Sequence, residues 1–412
     1  MAATNTSAKL EVFDEPLFDN SLVSLHEHTY KPYGSPYYRN SDEIRIPIQF
    51  QDLILDIAES YIYIEGKFTP TDATKICYLS NNSLAFLFDE IRLEMGAEQI
   101  AVVRNPGITT TMKTMVSFGE SHLKTLLTYG WGLTQQKQNI LDNASHVFSG
   151  RLPLKYLMGF AEDYTRGVIN AKQELVLIIA RSFKNSYIGE ADANIEIDKI
   201  EWKIRHIVPE DRQKLKLLNR INKGGHSAIA KIVYRMWDLY ELPSLRKTSS
   251  DIWAIKITKS LERPRYIIVG CQNADNSDNR SNDVTQFTNA DINSIRLYLN
   301  SEVYPYERWN LDFEKKLDSA AYYAYENFQR SYYDKDMVEP MMDITEFRSN
   351  PLFVIDCSHQ QDAVKSSTVD IKLEFETRKR HFPDNTRVYA LVIHDTFIKY
   401  NTLNGIVYTG VA

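Results

Sequence analysis

Four consecutive residues whose types could act together in catalysis occur late in the sequence. They are Asp356, Cys357, Ser358 and His359. A cysteine serves as a nucleophile when a histidine accepts its proton and a third group orients that histidine. Adjacency along the chain does not supply this geometry, because residues two apart in a strand share a face without any orienting group. We therefore predict a buried structural cysteine and a surface histidine, and no catalytic site.

The segments on either side of this group are predicted to be strands. Residues 352–355 form an apolar run, and residues 369–376 alternate between apolar and charged side chains. The apolar set is Val369, Ile371, Leu373 and Phe375, and the charged set is Asp370, Lys372, Glu374 and Glu376. Because successive side chains of a strand point to opposite faces, one face is buried and the other is wet. The Asp-Cys-Ser-His group then lies where a strand leaves a core and joins the next strand.

Two histidine motifs have the residue types of metal or catalytic sites. His26 and His28 resemble the paired histidines of a cupin metal site, which needs both imidazoles on one inward strand face near a carboxylate and a third histidine. This pair precedes the first predicted strand, so we expect no metal there. His394 and Asp395 follow the apolar residues 390–393 and are interpreted as a strand end and its turn.

Phosphate chemistry is not indicated by the glycines or by the basic residues. Residues 221–226 contain two glycines and a lysine, but they follow a predicted helix and lack the spacing of a phosphate-binding loop. Two basic clusters occur, namely Arg212, Lys214, Lys216, Arg220 and Lys223, and Arg378, Lys379 and Arg380. Clusters of this size are typical of solvated faces. In a protein that encloses DNA, they can also make nonspecific contacts to phosphates.

Bulk composition excludes several classes of protein. The chain has 412 residues, of which 43% are hydrophobic and 25% charged, and is long enough for two domains of roughly 200 residues. The net charge of −6 and the pI of about 5.9 indicate no general affinity for polyanions. Three widely spaced cysteines favour a reducing compartment over a disulfide framework or a zinc site. Without an apolar run of about 18 to 20 residues or a signal-like start, we expect a soluble, intracellularly made protein.

The first half of the sequence is predicted to be an arm followed by strands. Residues 1–42 are polar and aromatic without a sustained period, and are interpreted as an arm that packs on another surface. Strands are predicted at 44–50, 60–68, 84–96, 98–104, 174–182 and 194–207. Pro47 lacks an N–H, so its strand lies at an edge or has a bulge. A shift of the apolar phase near Asp198 and Lys199 requires a bulge, and short helices are predicted within 108–128.

A helical connector separates this half from a second, similar one. Residues 209–225 change to helical spacing and end at Gly224 and Gly225, which are helix-stopping residues. The apolar stripe of this helix consists of Leu215, Leu218 and Ile221. Strands resume at 228–236, 251–258, 264–271, 292–300, 352–358, 368–376, 387–400 and 405–410. The sequence therefore predicts two units of seven or eight strands each.

One long helix is predicted within the second half, at 312–333, with Asp312 as its N-cap. Its apolar stripe is predicted to be Phe313, Leu317, Ala320, Ala324 and Phe328. The predicted fold class is all-β, with two tandem jelly-roll β-sandwiches, a double jelly roll, and short helical insertions. The predicted organisation is an N-terminal arm at 1–42, a first jelly roll at 43–208, a helical connector at 209–225 and a second jelly roll at 226–412.

Several dispersed segments resemble a known family in the same order along the chain. They are residues 152–181, the connector after "IEWKIRHIVP", and residues 264–273 ("PRYIIVGCQN"), 292–306 ("INSIRLYLNSEVYPY") and 353–376. These segments are similar to the double jelly-roll major capsid proteins of Polinton (Maverick) elements and adintoviruses, including their relatives in insect and nematode genomes. The resemblance covers most of residues 43–400 and consists of structural segments, with no catalytic signature.

The resemblance implies a structural protein without catalytic residues, cofactors or metals. Family members form homotrimers in which six similar units surround a threefold axis, and these pseudohexamers tile icosahedral shells around double-stranded DNA. A heterologous contact between the first roll of one chain and the second roll of the next uses two different surfaces. A single jelly-roll penton protein is an implied partner, encapsidated DNA a possible nonspecific contact, and the virion capsid, assembled inside the host cell, the implied location.

Two other classes of function are compatible with the sequence. A pair of β-sandwiches could recognise carbohydrate or a host surface through exposed aromatic residues, for which Trp131, Trp309 and Tyr332 are candidates. A cupin-like enzyme would use a metal held by His26 and His28. Oligomeric state, glycan binding and metal content separate these hypotheses.

Overall fold

The computed structural model describes residues 22–34, 37–49, 54–256, 263–300, 302–359 and 369–411. The strands are β1 Leu22–Tyr30, β2 Glu43–Ile48, β3 Ile54–Pro70, β4 Cys77–Leu79, β5 Phe88–Met95, β6 Glu98–Arg104, β7 Leu141–Asp142, β8 Val147–Pro153, β9 Val168–Ile169, β10 Gln173–Ile179, β11 Tyr187–Gly189, β12 Ala193–Pro209, β13 Ile229–Leu242, β14 Ser250–Ile255, β15 Pro264–Asn273, β16 Ile292–Leu299, β17 Glu302–Tyr304, β18 Leu352–Asp356, β19 Ile371–Thr377, β20 Thr386–Asn401 and β21 Val407–Val411. The helices are α1 Pro106–Ser117, α2 Glu120–Leu126, α3 Leu154–Leu157, α4 Gly159–Asp163, α5 Asp211–Asn222, α6 Ser319–Tyr333 and α7 Ile344–Ser349. Short 3₁₀ helices lie at Ala85–Leu87, Leu127–Tyr129, Lys184–Ser186, Gly225–Ala228 and Ala274–Asn276.

The described strands form two separate antiparallel β-sandwiches. The first consists of a sheet in the order β1-β12-β3-β8-β7, with β9 beside β3, and a sheet in the order β2-β10-β5-β6, with a small β4–β11 pair alongside. The second consists of a sheet in the order β13-β20-β15-β18, with β21 beside β20, and a sheet in the order β14-β19-β16-β17. All described strands up to Pro209 pair with one another, as do all those from Ile229 onward. The prediction of an all-β fold with two tandem sandwiches is confirmed.

Each sandwich buries the apolar faces of its strands, but the two cores exchange residues across their boundary. Helix α1 is inserted between strands of the first sandwich, yet Ile108 and Met112 pack in the core of the second. Conversely, Ile232 of β13 and Ile398 of β20 belong to the core of the first sandwich. This exchange joins the two units through buried apolar surface, whose removal from water is the main favourable term in folding.

Several local predictions are confirmed. Pro47 lies in β2 at the edge of its sheet, where the missing N–H interrupts no ladder. The register of β12 against β3 shifts between Ile197 and Lys199, at the predicted bulge. The charged and apolar residues of 369–376 alternate between more exposed and buried positions as expected. The predicted helical segment 108–128 corresponds to α1 and α2.

The prediction of an arm without regular structure before residue 43 is wrong for residues 22–30. These residues form β1, which pairs with β12 from Leu22 opposite Pro209 to Tyr30 opposite Trp202. Its side chains, including Val23 and Leu25, are largely exposed, so the apolar alternation that marks a half-buried strand is missing from its sequence. The remainder of the predicted arm, residues 1–21, lies outside the described residues.

The long helix of the second half begins later than predicted. Asp312 and Leu317 form an isolated antiparallel bridge, and α6 starts only at Ser319, with Asp318 as its N-cap. Because α6 starts later than predicted, a different face of the helix is buried. The apolar residues that α6 buries are Ala321, Tyr325, Phe328 and Tyr332. Of the predicted stripe, Phe328 is buried and Phe313 and Ala324 pack half-buried against the core. Leu317 and Ala320 are exposed, so the prediction is wrong for them.

The connector between the sandwiches is α5, as predicted for 209–225. Gly224 and Gly225 have φ values of +60° and +54°, the left-handed conformation that glycine adopts after a helix end. Every residue of α5 is exposed or half-buried. Over the residues that the structure describes, the helices are all too short or too polar to cross a lipid bilayer.

Candidate functional site: the junction between the two sandwiches

The most unusual side-chain chemistry of the described residues lies where the sandwiches meet, and it is positioned by α1. Asn105 precedes this helix with φ +45°, and its side chain accepts a hydrogen bond from the N–H of Ile108. Pro106 occupies the first turn, where a missing N–H costs nothing. All twelve residues of α1 are buried. A Cβ on Gly107 would overlap the Phe86 ring, so glycine permits this close packing.

Lys113 projects from α1 into a pocket of aromatic rings contributed by the second sandwich. Its side chain is 2% exposed. Its ammonium lies 4.5 Å from the ring centre of Trp237 and 4.3 Å from that of Tyr332, distances at which the negative face of a ring attracts a cation. Nζ donates to Ser117 Oγ at 2.9 Å and to Tyr333 Oη at 2.8 Å. The charge is thus held by rings and oxygens in place of water.

Glu162 of α4 supplies the counter-charge. Its Oε1 lies 3.1 Å from Lys113 Nζ, and its two carboxylate oxygens accept hydrogen bonds from the hydroxyls of Tyr332 and Tyr333 at 2.6 and 2.5 Å. Burial lowers the pKa of Lys113 to about 8, although Glu162 opposes the shift. Burial also raises the pKa of both tyrosines well above the ordinary value. Burial alone disfavours the charged form of each group, so the pair depends on its hydrogen bonds.

A second ion pair lies beside the first. The Arg235 guanidinium on β13 pairs with Asp163, the last residue of α4, through two nitrogens. It also donates to the carbonyl of Tyr332 at 2.9 Å and stacks 3.5 Å from the ring centre of the same tyrosine. Bidentate pairing of this kind fixes the orientation of the guanidinium and also neutralises its charge. One tyrosine of α6 therefore contacts both ion pairs.

Close backbone approach allows these groups to meet. A Cβ on Gly159, the first residue of α4, would overlap the carbonyl oxygen of Arg235 on β13. Further from the ion pairs, Tyr325 of α6 donates to the carbonyl of Met115 in α1 at 2.7 Å. The junction is thus a continuous buried network from α1 and α4 of the first half to β13 and α6 of the second. With Lys113 almost inaccessible, the arrangement fixes two units relative to each other and offers little access to a substrate.

Sequence reasoning did not identify this junction. The available signal was a single lysine, Lys113, in the otherwise uncharged segment 106–118, together with adjacent Glu162 and Asp163. A lone charge in an apolar helix indicates a buried partner, but the partner's identity depends on packing between elements about 50 to 220 residues apart. That pairing is not encoded in any local spacing.

The predicted interpretation of Cys357 and His359 agrees with the geometry. Cys357 is 1% exposed, and its thiol donates to the carbonyl of Pro264 at 3.3 Å. His359 is exposed. The cysteine therefore faces the core while the histidine faces solvent. Residues 360–368, which complete the predicted turn, lie outside the described residues.

His26 and His28 lie on one face of the edge strand β1, beside a third histidine that the sequence prediction omitted. His206 on β12 is opposite His26 in register, and its ring stacks on that of His28 with centres 3.8 Å apart. Its Nε2 is 2.9 Å from Tyr30 Oη. Burial, and secondarily the neighbouring histidines, lowers the pKa of His206 to about 4. Within the described part of the chain, no three His, Cys, Asp or Glu residues are arranged to hold a metal ion.

The interpretation of His394 and Asp395 as a strand end is wrong. Both lie inside β20, which continues to Asn401. His394 is 2% exposed and its Nε2 is 2.8 Å from a carboxylate oxygen of Asp238 on the neighbouring strand. Along β20, Ile393 packs in the core of the second sandwich and Ile398 in that of the first. The cross-strand partner makes a buried imidazole tolerable.

The two basic clusters differ in their partners. Arg378 pairs with Asp312 at 2.9 Å, and Lys379 with Asp291 at 2.7 Å, so these residues are engaged within the chain. In the connector, residues 209–225, by contrast, Arg212, Lys214, Lys216 and Lys223 form no ion pair with any other residue that the structure describes. Arg380 of the other cluster is exposed as well, but the connector presents the larger group of basic side chains that a second molecule or segment could neutralise.

The aromatic residues suggested for carbohydrate recognition are buried. Trp131, Trp309 and Tyr332 are 4%, 9% and 6% exposed. Trp131 and Tyr332 pack at the junction core, and Trp309 belongs to the same apolar cluster. An aromatic platform for a sugar must be accessible, so this assignment is wrong.

Comparison with known proteins supports the same architecture. The family model described as the double jelly roll-like domain matches residues 77–398. The PBCV-1 virus capsid model has a TM-score of 0.59 at 10% identity, covering 97% of this chain and 99% of that one. The Faustovirus major capsid protein has a TM-score of 0.61 at 8% identity, covering 94% and 92%. The mavirus major capsid protein has a TM-score of 0.56 at 10% identity, covering 100% and 94%. A search of curated protein sequences found no match.

Proposed function

The chain belongs to the double jelly roll-like domain family, and we propose on this basis that it is a major capsid protein with a structural, non-enzymatic role. The observation that carries the proposal is the alignment of both sandwiches, over nearly the whole chain, with capsid proteins of three viruses. At about one identical residue in ten, these similarities concern the fold, and the function is our inference from it.

We further propose that the chain assembles as a homotrimer in which the two sandwiches of each copy create a pseudohexamer. Support comes from apolar side chains exposed on edge strands of both units. Val23 and Leu25 of β1 are 66% and 49% exposed, and Ile252 of β14 is 56% exposed. Edge strands with unpaired backbone groups and apolar side chains favour pairing with another chain. Because β1 and β14 belong to different units, they fit a cyclic assembly in which the first roll of one copy contacts the second roll of the next.

The division of the chain is proposed as predicted, with one change. The first roll ends near 208, the connector occupies 209–225, and the second roll covers 226–412. Because β1 is paired within the first sandwich, we extend the first roll to include residues 22–30. The resemblance of the segments quoted above supports a Polinton or adintovirus type of capsid protein, and that lineage is part of the proposal.

The remaining partners follow from the proposed role. The shell would enclose double-stranded DNA, contacted nonspecifically, and a single jelly-roll penton protein would occupy its vertices. The location would be the virion capsid, assembled inside the host cell. We also retain the proposal that the chain has no catalytic, cofactor or metal site.

Mass measurement and electron microscopy of the purified full chain test the proposal. We expect particles of three times the 47.7 kDa chain mass, with hexagonal outlines in negative stain, and shells at high concentration. Val23→Lys combined with Ile252→Lys should shift the protein to monomers, because each edge would carry a charge at the contact. Met337→Lys, which replaces an even more exposed apolar residue outside the sheet edges, serves as the control and should remain trimeric.

A monomer at all concentrations, with or without the edge substitutions, would contradict the proposed assembly. Circular dichroism of each variant distinguishes a lost contact from a lost fold.

A further inference from the structure

Helix α5 is a basic, amphipathic element that lies on the surface of the molecule. Residues 210–223 contain five basic and two acidic side chains. Leu215 and Leu218 are 60% and 41% exposed. An apolar side chain at this exposure loses the free energy that burial would supply. The helix therefore combines a net positive charge with uncovered apolar surface, and we call this face the connector surface.

A groove runs along one side of the connector surface. It has a volume of about 680 Å³ and separates α5 from the end of the first sandwich. On the helix side it is lined by Lys214, Leu217, Leu218 and Ile221, and on the opposite side by residues that include His28, Ile54, Ile169 and Leu403. The groove thus has largely apolar walls, with Lys214, Asp211 and Asn222 as polar groups on the helix side. A fitting occupant is a short segment with apolar side chains and negative charge.

This chain contains such a segment immediately before its first described strand. Residues 10–19, "LEVFDEPLFD", contain four carboxylates, no basic residue and five large apolar side chains. They lie in the part of the chain that the structure does not describe. Strand β1 begins with Leu22 paired with Pro209, two residues before α5 starts. The chain therefore enters the described structure beside the first turn of the connector helix.

We propose that residues 10–19 dock on the connector surface of the same chain, with their carboxylates facing the basic residues of α5 and their apolar side chains entering the groove. The lengths are compatible. Phe13 is nine residues from Leu22 and can reach roughly 30 Å from it, whereas α5 is about 18 Å long. A tether this short gives a high effective concentration, so contacts of modest strength suffice.

Covalent attachment favours this occupant over an anionic membrane or DNA, which would complement α5 equally in the sign of its charge. The segment is covalently present at every copy of α5, and its four carboxylates are opposite in sign and equal in number to the four connector residues Arg212, Lys214, Lys216 and Lys223, which form no ion pair with another described residue. A second copy of the chain carries the same segment, but it lacks the advantage of the tether. The proposal does not depend on assembly into a capsid, so it can hold for a monomer.

Disulfide trapping in the full chain tests the contact. Cys271 and Cys357 are buried, so Cys77→Ser gives a background without an accessible native thiol. In this background, Phe13→Cys with Leu218→Cys should form a disulfide under mild oxidation, detected by peptide mass spectrometry and by a product of single-chain mass. Ser7→Cys with Leu218→Cys is the matched control, since it lies on the same tether outside the acidic segment. We expect the Phe13 pair to cross-link about tenfold more, the effect of a few solvated ion pairs and one buried side chain.

Charge reversal on the helix sharpens the test. Lys214→Glu with Lys216→Glu should reduce the Phe13 cross-link to the Ser7 level, whereas Lys67→Glu with Lys184→Glu, two exposed lysines elsewhere, should not. Equal yields for Phe13 and Ser7 would overturn the proposal. A product of double-chain mass would assign the groove to a second copy and also overturn it. Binding of the full chain to phosphatidylserine vesicles through Lys214 and Lys216, without the cross-link, would assign the surface to a membrane instead.

Discussion

Helices α1 and α5 have the same length and opposite surroundings. Each contains twelve residues, yet all residues of α1 are buried and every residue of α5 is exposed or half-buried. The buried helix has one charged residue, Lys113, and the exposed helix has four basic residues within its bounds. The single buried charge is held by hydrogen bonds, rings and a carboxylate, while the charges of α5 are solvated. A charge therefore affects the stability of this fold more strongly when it is buried than when it is solvated.

The two helices also join the β-sandwiches in different ways. Helix α5 connects them in sequence, and α1 connects them in space by packing in the core of the unit to which it does not belong in sequence. Burial and polar satisfaction at the junction, more than the covalent linker, should then fix the relative orientation of the sandwiches.

The largest effect is expected from removing the counter-charge of Lys113. Glu162→Gln leaves a buried ammonium without its carboxylate, and we expect a loss of about 3 to 5 kcal/mol in the free energy of unfolding at neutral pH. Urea unfolding measures the loss. Lys113→Met combined with Glu162→Gln should recover most of it, because replacing both partners removes the unpaired charge. A single substitution costing under about 1 kcal/mol would mean that the ion pair does not stabilise the junction.

Backbone contact at the junction gives the next effect. Gly159→Ala would force a methyl group against the carbonyl of Arg235, and we expect a loss of about 3 kcal/mol, at the upper end for overpacking. Gly224→Ala, at the end of α5, meets open space but has a φ of +60°, so it should cost only about 1 to 2 kcal/mol. Thermal unfolding of both variants tests the order, and the reverse order would contradict the packing argument.

Titration of Lys113 should make stability depend on pH. Its pKa is lowered from 10.5 to about 8 by burial, so between these values the unfolded chain binds this proton more than the folded chain does. Stability should therefore rise with pH through this window, whereas below pH 8, where Lys113 is protonated in both states, its titration adds no pH dependence. Relative to Lys113→Met, we expect a gain of about 2 kcal/mol between pH 8 and about pH 9.5. Urea unfolding of both proteins over this pH range measures the gain. If the free energy of unfolding of Lys113→Met changed with pH in the same way as that of the unsubstituted protein, the pH dependence would not come from Lys113.

The smallest effect is expected at the connector. Lys214→Glu with Lys216→Glu should change the free energy of unfolding by less than about 0.5 kcal/mol, since both side chains are exposed. Chemical denaturation beside the Glu162→Gln variant gives the direct contrast between a solvated and a buried charge. A large loss here would mean that α5 takes part in the stability of the sandwiches, as α1 does.

Much of the fold could be predicted because many elements have a local signature. Strand β19 has strict alternation, the bulge at Asp198 and Lys199 appears as a change of phase, and the end of α5 is marked by two glycines. Strand β1 has no such signature. Its side chains are exposed, and main-chain pairing with β12, which is independent of side-chain type, makes it a strand. The start of α6 was misassigned for a related reason, since a helical period does not indicate where a preceding turn ends.

The sequence by itself determined the two-unit β architecture, the helical connector between the units and the inward orientation of Cys357, because these follow from periods of two and 3.6 residues and from turn residues. Only the tertiary structure decided that Lys113 meets Glu162, that His394 is buried beside Asp238, and that Trp131 and Trp309 are inaccessible. Each of these outcomes depends on which distant elements pack together. The free energy of a charge or a ring is set by that packing, and no local pattern of residues specifies it.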